Sequence, residues 1–421
     1  MRKNINKLVA FAIGVSVIGG SIVPAFAADT TTQNTSTTTN VQAQTIGKPL
    51  FTLDEAIKAA ESNSDTLKLD DQKVSYQDKI NDTNEKLDDF TGVNGDKEDL
   101  NNDTRENTLD QIKQQRDFDE DKLIQKTTTD YNGIVTSQKQ IDKSEKSLEI
   151  QNKLLNNAKL KNSLGIVTTT DLTATQLQIE SLQNAQKSSQ NALKDAEYSF
   201  KVLTGKDVSQ YTLEQDIKYD TFKIDGSVDD YLDNSIDSYL NYKTQLIQLN
   251  KDYYNNSDNQ VSVDYVNQAE ADSAAVVVPP KPDDSNLDPN AYQKYEDKLA
   301  KKQTYAGALS ARLLYLNTRL GVYTQETTLN ETKKQFKEQL RTFYTNLLAL
   351  EDNITTLKKN IELNNKKLSD AKLKYDLGMI TKSDYSTLVV SSEDLDLQLR
   401  AYIIQYNTLK EDIQKPWIAF S

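Results

Sequence analysis

Ala158-Lys159-Leu160-Lys161-Asn162-Ser163-Leu164-Gly165-Ile166-Val167-Thr168-Thr169-Thr170-Asp171 is echoed by Ala371-Lys372-Leu373-Lys374-Tyr375-Asp376-Leu377-Gly378-Met379-Ile380-Thr381-Lys382-Ser383-Asp384. Eight of the fourteen positions are identical, at an offset of 213 residues, about half of the 421-residue chain. Glycine enters the left-handed conformation that ends a helix without the Cβ clash other residues meet. The residue after each glycine is apolar. Thr168 and Thr381 then stand near the start of a returning helix, where Asp171 and Asp384 complement its positive end. Each copy reads as the corner of a helical hairpin, and the flanking identity reads as internal duplication.

The helices on either side carry a narrow seam. Phe336, Leu340, Phe343, Leu347, Leu350, Ile354, Leu357, Ile361, Asn364, Leu368 and Ala371 alternate steps of four and three. The last helix repeats the pattern through Tyr385, Leu388, Ser392, Leu395, Leu399, Tyr402, Tyr406, Leu409 and Ile413, and another runs from Leu172 through Ile179 and Leu193 to Leu203. Steps averaging 3.5 keep two helices in contact only when they supercoil. The fold class is therefore all-α, built of long antiparallel coiled-coil hairpins.

Working outward, Arg2, Lys3 and Lys7, an apolar run from Leu8 to Ile22, and Ala25-Phe26-Ala27 predict a cleaved signal peptide over 1–27. Residues 28–50 read as a Thr- and Asn-rich flexible leader. The first repeat spans 51–205 and contains a helix from Thr52 to Phe90, a polar break over 91–103, and helices over 104–163 and 170–203. Thr52 and Glu55 form a capping box at its start. A mixed connector covers 206–227, with room for a short strand or two. The second repeat, 228–421, has a helix over 228–254 and an extended, Pro-rich insertion at 255–289. A very long helix over 290–376 follows, with Gly321 marking a candidate break, and a last helix over 383–413 stops before Pro416.

Composition excludes several chemistries. The chain has no cysteine, so it forms no disulfide or zinc-thiolate site. It has no histidine, the commonest metal ligand and general acid/base. The remaining candidates are carboxylate pairs such as Asp70-Asp71, Asp88-Asp89, Asp229-Asp230 and Asp283-Asp284. These read as solvated helix faces in an acidic chain, because nothing in the pattern builds a dry pocket around two of them. A formal net charge of −13 disfavours nucleic acid as a partner. No enzyme activity, cofactor or metal is expected.

The paired corners resemble those of the TolC family of efflux ducts. So do the opening Phe51-Thr52-Leu53-Asp54-Glu55-Ala56-Ile57 and the close Phe200-Lys201-Val202-Leu203-Thr204-Gly205 of the first half. Val228-Asp229-Asp230-Tyr231-Leu232 is a weaker echo of the opening. The resemblance implies a TolC-like α-barrel protomer that assembles as a homotrimer. It also implies that Leu164, Gly165, Ile166, Thr168, Leu377, Gly378, Met379 and Thr381 dock a periplasmic-adaptor-like membrane-fusion protein serving an inner transporter. Asp171 and Asp384 stand at the helix starts of these tips.

The family inserts membrane β-hairpins between the first and second helices of each half. Here the first gap is polar and the second is set among Asp, Glu and Pro, whereas each membrane strand needs about 9–11 alternating residues. A member without clear membrane β-strands is expected. It would be exported to the cell envelope, in the outer membrane by resemblance or extracytoplasmic and wall-associated where no outer membrane exists. The competing expectation is a structural or adhesive coiled-coil spacer.

Overall fold

The computed structural model describes residues 48–274, 277–278, 280–282 and 289–420. The signal peptide, the leader up to residue 47, Val276, Pro279 and the Asp283-Asp284 pair lie outside the described residues. The described residues belong to one unit, Lys48–Ser421. Ten α-helices and two very short strands make it up: β1 (Leu50–Phe51), α1 (Leu53–Asn63), α2 (Asp65–Thr91), α3 (Asp96–Ser163), α4 (Thr169–Thr204), β2 (Thr212–Leu213), α5 (Val228–Tyr239), α6 (Asn241–Asn255), α7 (Val263–Ala274), α8 (Pro289–Asp376), α9 (Lys382–Gln414) and α10 (Pro416–Phe420). The fold is all-α, as the periodicity requires. At 1.5 Å per residue α3 is about 100 Å long and α8 about 130 Å.

Helices α3 and α4 form one hairpin, α8 and α9 the other, and α3 packs on α9 to join them. The seam of α8 turns inward along its length, with Leu340, Leu347 and Ile354 fully buried. With Tyr406 and Ile413 of α9 and Leu232 and Ile236 of α5 they form the larger core. A second core gathers Phe51, Ala56, Tyr131, Ile134, Val135, Phe200 and Leu213. There β1 and β2 pair in parallel, Leu50 with Thr212 and Phe51 with Leu213. The phenol of Tyr131 closes this junction, donating to Phe51 O at 2.6 Å and accepting from Glu214 N at 2.7 Å. The seam position Leu388 of α9 faces solvent instead.

Several boundaries differ from the sequence reading. The single helix expected over 52–90 is two, because Ser64 leaves helical geometry and its hydroxyl caps α2 at Leu67 N. Asn63 is drawn away to bond the carbonyls of Val202 and Leu203 at the end of α4. The capping box at Thr52 and Glu55 forms as expected.

The break expected over 91–103 shrinks to a tight turn at 92–95, with Gly92 at φ 75° and Gly95 at φ 62°. Helix α3 begins at Asp96 because Asp96, Glu98 and Asp99 suit the positive end of a helix. Asp88 also ties the turn to α3, accepting from Arg105 Nη1 at 2.6 Å and Asn101 Nδ2 at 3.0 Å. The helix expected over 228–254 is divided at buried Leu240.

The insertion is not wholly extended. Val263–Ala274 is a helix, α7, packed on α8 through Ala269 and Ser273. Gly321 does not interrupt α8, whose packing on α6 and α7 outweighs glycine's weak helix preference. After Pro416 the chain adds α10. Its Trp417 stacks on Phe118 with ring centres 4.5 Å apart and bonds Asp121, while Phe420 stacks on Phe336 at 4.1 Å. Among the described residues no helix is long and apolar enough to cross a membrane.

Candidate docking tips

The two glycine corners are the same structure built twice. Gly165 has φ 74° and Gly378 φ 71°, both left-handed. Behind the first, Gly165 N donates to Asn162 O and Ile166 N to Lys161 O, each at 2.9 Å. Behind the second, Gly378 N donates to Tyr375 O at 2.9 Å and Met379 N to Lys374 O at 2.8 Å. This pair of bonds is the Schellman arrangement, which satisfies carbonyls that a helix end would otherwise leave open.

The returning helices begin in matching fashion. Thr168 and Thr381 are extended N-caps, and each hydroxyl accepts from the backbone N–H three residues on, at 3.1 Å, and donates to the Asp171 or Asp384 carboxylate at 2.7 Å. At the second corner Asp384 also accepts from Thr381 N at 3.1 Å. The Thr381 hydroxyl, then its backbone N–H, hold the Asp384 carboxyl below the usual aspartate range. The corners differ at one braced position of the repeat. Asn162 bonds Val167 O at 2.8 Å in the first, whereas Tyr375 stacks on Tyr385 in the second, ring centres 5.5 Å apart.

Both corners lie at one end of the hairpins, and the contacts between α3 and α9 establish this. Asp121 pairs with Lys415, Gln125 bonds Asp412, Lys143 pairs with Asp394 and Lys146 with Glu393. As α3 advances from Gln125 to Lys143, its partner on α9 retreats from Asp412 to Asp394, so the two helices run antiparallel in register. Continued to the corners, this register sets Gly378 within roughly 10 Å of Gly165 along the rod axis.

Arg400 holds the register in place. It is buried, and its guanidinium donates to Thr136 Oγ1 at 2.9 Å, Asn132 Oδ1 at 2.8 Å and Gln215 O at 2.6 Å. The heptad reading missed it because Leu399 and Tyr402 carry the seam toward α8. Arg400 lies beside that seam and serves α3. A charged residue one step off a heptad reads as solvated, and only the neighbouring hairpin makes it internal.

What the corners present is apolar and open. Leu164 is 66% exposed, Ile166 69%, Leu377 66% and Met379 68%, while Val167 and Ile380 turn partly inward. Gly165, Thr168, Gly378 and Thr381 are exposed as well. The arrangement is a pair of small, matched apolar knobs, each beside a capped helix start.

Comparison with known proteins bears on the fold. No protein-family model and no curated protein matches the chain. Among solved structures, the outer-membrane channel OprN is 10% identical with a TM-score of 0.53, covering 87% of this chain and 90% of its own. CusC, whose structures are described in terms of folding and transmembrane channel formation, is 10% identical with a TM-score of 0.50, covering 87% of this chain and 91% of its own. A membrane protein from Pseudomonas aeruginosa is also 10% identical, with a TM-score of 0.51 over 87% of this chain and 93% of its own. The chain thus has the TolC-like fold of outer-membrane channels.

Proposed function

We propose that this chain is a duct component of the cell envelope, not an enzyme, and that it docks a membrane-fusion adaptor of an efflux or secretion system through its two glycine corners. The observation that carries the reading is the pairing of two near-identical corners at one level, each offering two exposed apolar side chains beside a capped helix start. A partner with repeated, shallow apolar grooves fits such knobs. The fold shared with OprN and CusC supports a channel role and a place in the envelope.

Assembly as a homotrimer follows the same reading. The outer face of α2 exposes Leu69, Tyr76, Ile80, Leu87 and Phe90 at coiled-coil spacing, which suits contact with a neighbouring copy. An inner transporter would complete the system, reached through the adaptor.

The test replaces exposed Leu164 and Leu377 together by Asp, a change that leaves the buried seams untouched, and measures binding to a purified membrane-fusion adaptor. The expected result is loss of binding with helicity intact. Unchanged binding refutes the tip assignment. Retention of wall polymer with no affinity for any adaptor favours the spacer reading instead.

A further inference from the structure

The dipeptide Asn-Gly occurs twice in the chain, at Asn94-Gly95 and at Asn132-Gly133. Its intrinsic chemistry is the same in both places. With no Cβ on the glycine, the backbone nitrogen can approach the side-chain carbonyl carbon of the preceding asparagine. The fold treats the two copies in opposite ways.

Asn132 is closed to this reaction. It is buried inside α3, with Nδ2 donating to Thr128 O at 3.0 Å and Oδ1 accepting from Arg400 Nη2 at 2.8 Å. Both polar atoms of the side-chain amide are therefore held. The Gly133 nitrogen belongs to the ladder of the same helix, with no freedom to turn toward them.

Asn94 is open to it. The turn at 92–95 leaves Asn94 and Gly95 exposed. Among the described residues the Asn94 side chain makes one hydrogen bond, Nδ2 to Gly92 O at 3.2 Å, while its Oδ1 and the Gly95 N–H make none. Gly95 sits at φ 62°, and a Cβ built on it meets no atom within 4 Å, so no neighbouring group covers that side of the residue.

We infer that Asn94-Gly95 is a site of spontaneous deamidation, a modification the chain carries out on itself with water as co-reactant. The Gly95 nitrogen gives up its proton to solvent and bonds Asn94 Cγ, while the side-chain nitrogen takes up a proton and leaves as ammonia. Water then opens the cyclic imide. Cleavage of the Cγ–N bond yields aspartate, and cleavage of the backbone C–N bond yields isoaspartate, whose chain runs on through Cγ. Asparagine and water become an acid and ammonia, and nothing is oxidised or reduced.

Either product places a new carboxylate beside Asp96, Glu98 and Asp99 at the start of α3. Isoaspartate also adds a methylene to the backbone of the turn. There Gly95 O accepts from Asp99 N at 3.0 Å, and the Asp96 carboxylate accepts from Asn256 Nδ2 at 2.9 Å and Asn259 Nδ2 at 3.0 Å. The modification therefore acts on the contact between this turn and the segment that follows α6. It stands independently of the duct reading.

The test incubates the folded chain, and a sample unfolded in guanidinium chloride, in the same mildly alkaline buffer. Peptide mass spectrometry follows both asparagines, and enzymatic carboxyl methylation counts isoaspartate. In the folded chain Asn94 is expected to convert at least about tenfold faster than Asn132, whose reaction waits for local opening of α3. In guanidinium chloride the two rates should converge, because both sites are then unprotected Asn-Gly. Gly95→Ala is expected to slow Asn94 about tenfold even in the unfolded sample, since the added methyl shields the attacking nitrogen. Equal rates in the folded chain overturn the inference, as does an Asn94 that stays intact while Asn132 converts. A difference between the two sites that persists undiminished in guanidinium chloride also overturns it, because the fold would then not be its cause.

Discussion

Replacing Gly378 by Ala isolates the contribution of the left-handed corner. A Cβ built on Gly378 meets no atom within 4 Å, so no collision with neighbours enters the cost. What remains is the backbone. At φ 71° an L-residue's Cβ crowds its own carbonyl, at a cost of roughly 1–2 kcal/mol. Alanine also narrows the unfolded ensemble by about 0.4–1 kcal/mol, which offsets part of that. A net loss near 1 kcal/mol is expected, concentrated where Gly378 N bonds Tyr375 O and Met379 N bonds Lys374 O. Hydrogen exchange at the Met379 amide should quicken about fivefold, with little change in far-UV ellipticity. Gly378→Asn should lose less, since asparagine enters this conformation more readily. Gly321 supplies the opposite sign. It lies inside α8 with nothing within 4 Å of a built Cβ, so Gly321→Ala should stabilise by about 0.5–1 kcal/mol. If Gly378→Ala leaves Met379 exchange unaltered, or if both alanines shift stability in the same direction, the reasoning is wrong.

Three further outcomes follow from the packing. Leu347→Ala, at a fully buried seam position, should cost about 2–5 kcal/mol in urea unfolding, and a loss below 1 kcal/mol would deny the seam its structural role. Tyr131→Phe leaves Glu214 N–H without its 2.7 Å acceptor and should cost about 1–3 kcal/mol. Burial also pushes the Tyr131 and Tyr219 phenols up to about 12, so Tyr131→Phe should remove one late proton from an absorbance titration. Arg105 first, then Asn101, hold the Asp88 carboxyl below its ordinary 3.8. The stability Asp88 gives the α2–α3 turn is therefore present above that value and lost as pH falls below it. Exchange over residues 92–105 should accelerate as pH is lowered through 3.8 and beyond, and an acid response unchanged in Asp88→Asn would remove Asp88 as its cause. Asp412 should behave oppositely, because burial raises its pKa.

The corners were legible because their determinants are local. A left-handed glycine, the Thr hydroxyl that caps the next helix and the Asp three residues on lie within seven residues of one another at each tip. The capping box at Thr52 and the heptad seam of α8 were readable for the same reason, each depending on neighbours in the chain. The α2–α3 break was misjudged because polar residues over 96–103 look like loop until Asp88 reaches across to Arg105 and Asn101. α7 was hidden in a segment whose Val-Pro-Pro run dominates the composition, although the helix ends before that run begins.

By itself the sequence determined that this is an all-α chain of coiled-coil hairpins with two equivalent corners, since helix period and helix termination are written in residues three, four and seven apart. Only the tertiary structure decided that the corners share one level and that Arg400 turns inward to hold them there. Those facts depend on the register between α3 and α9 and on which face of a helix its neighbours occupy. Such register is set by contacts between residues hundreds of positions apart, and no local pattern encodes it.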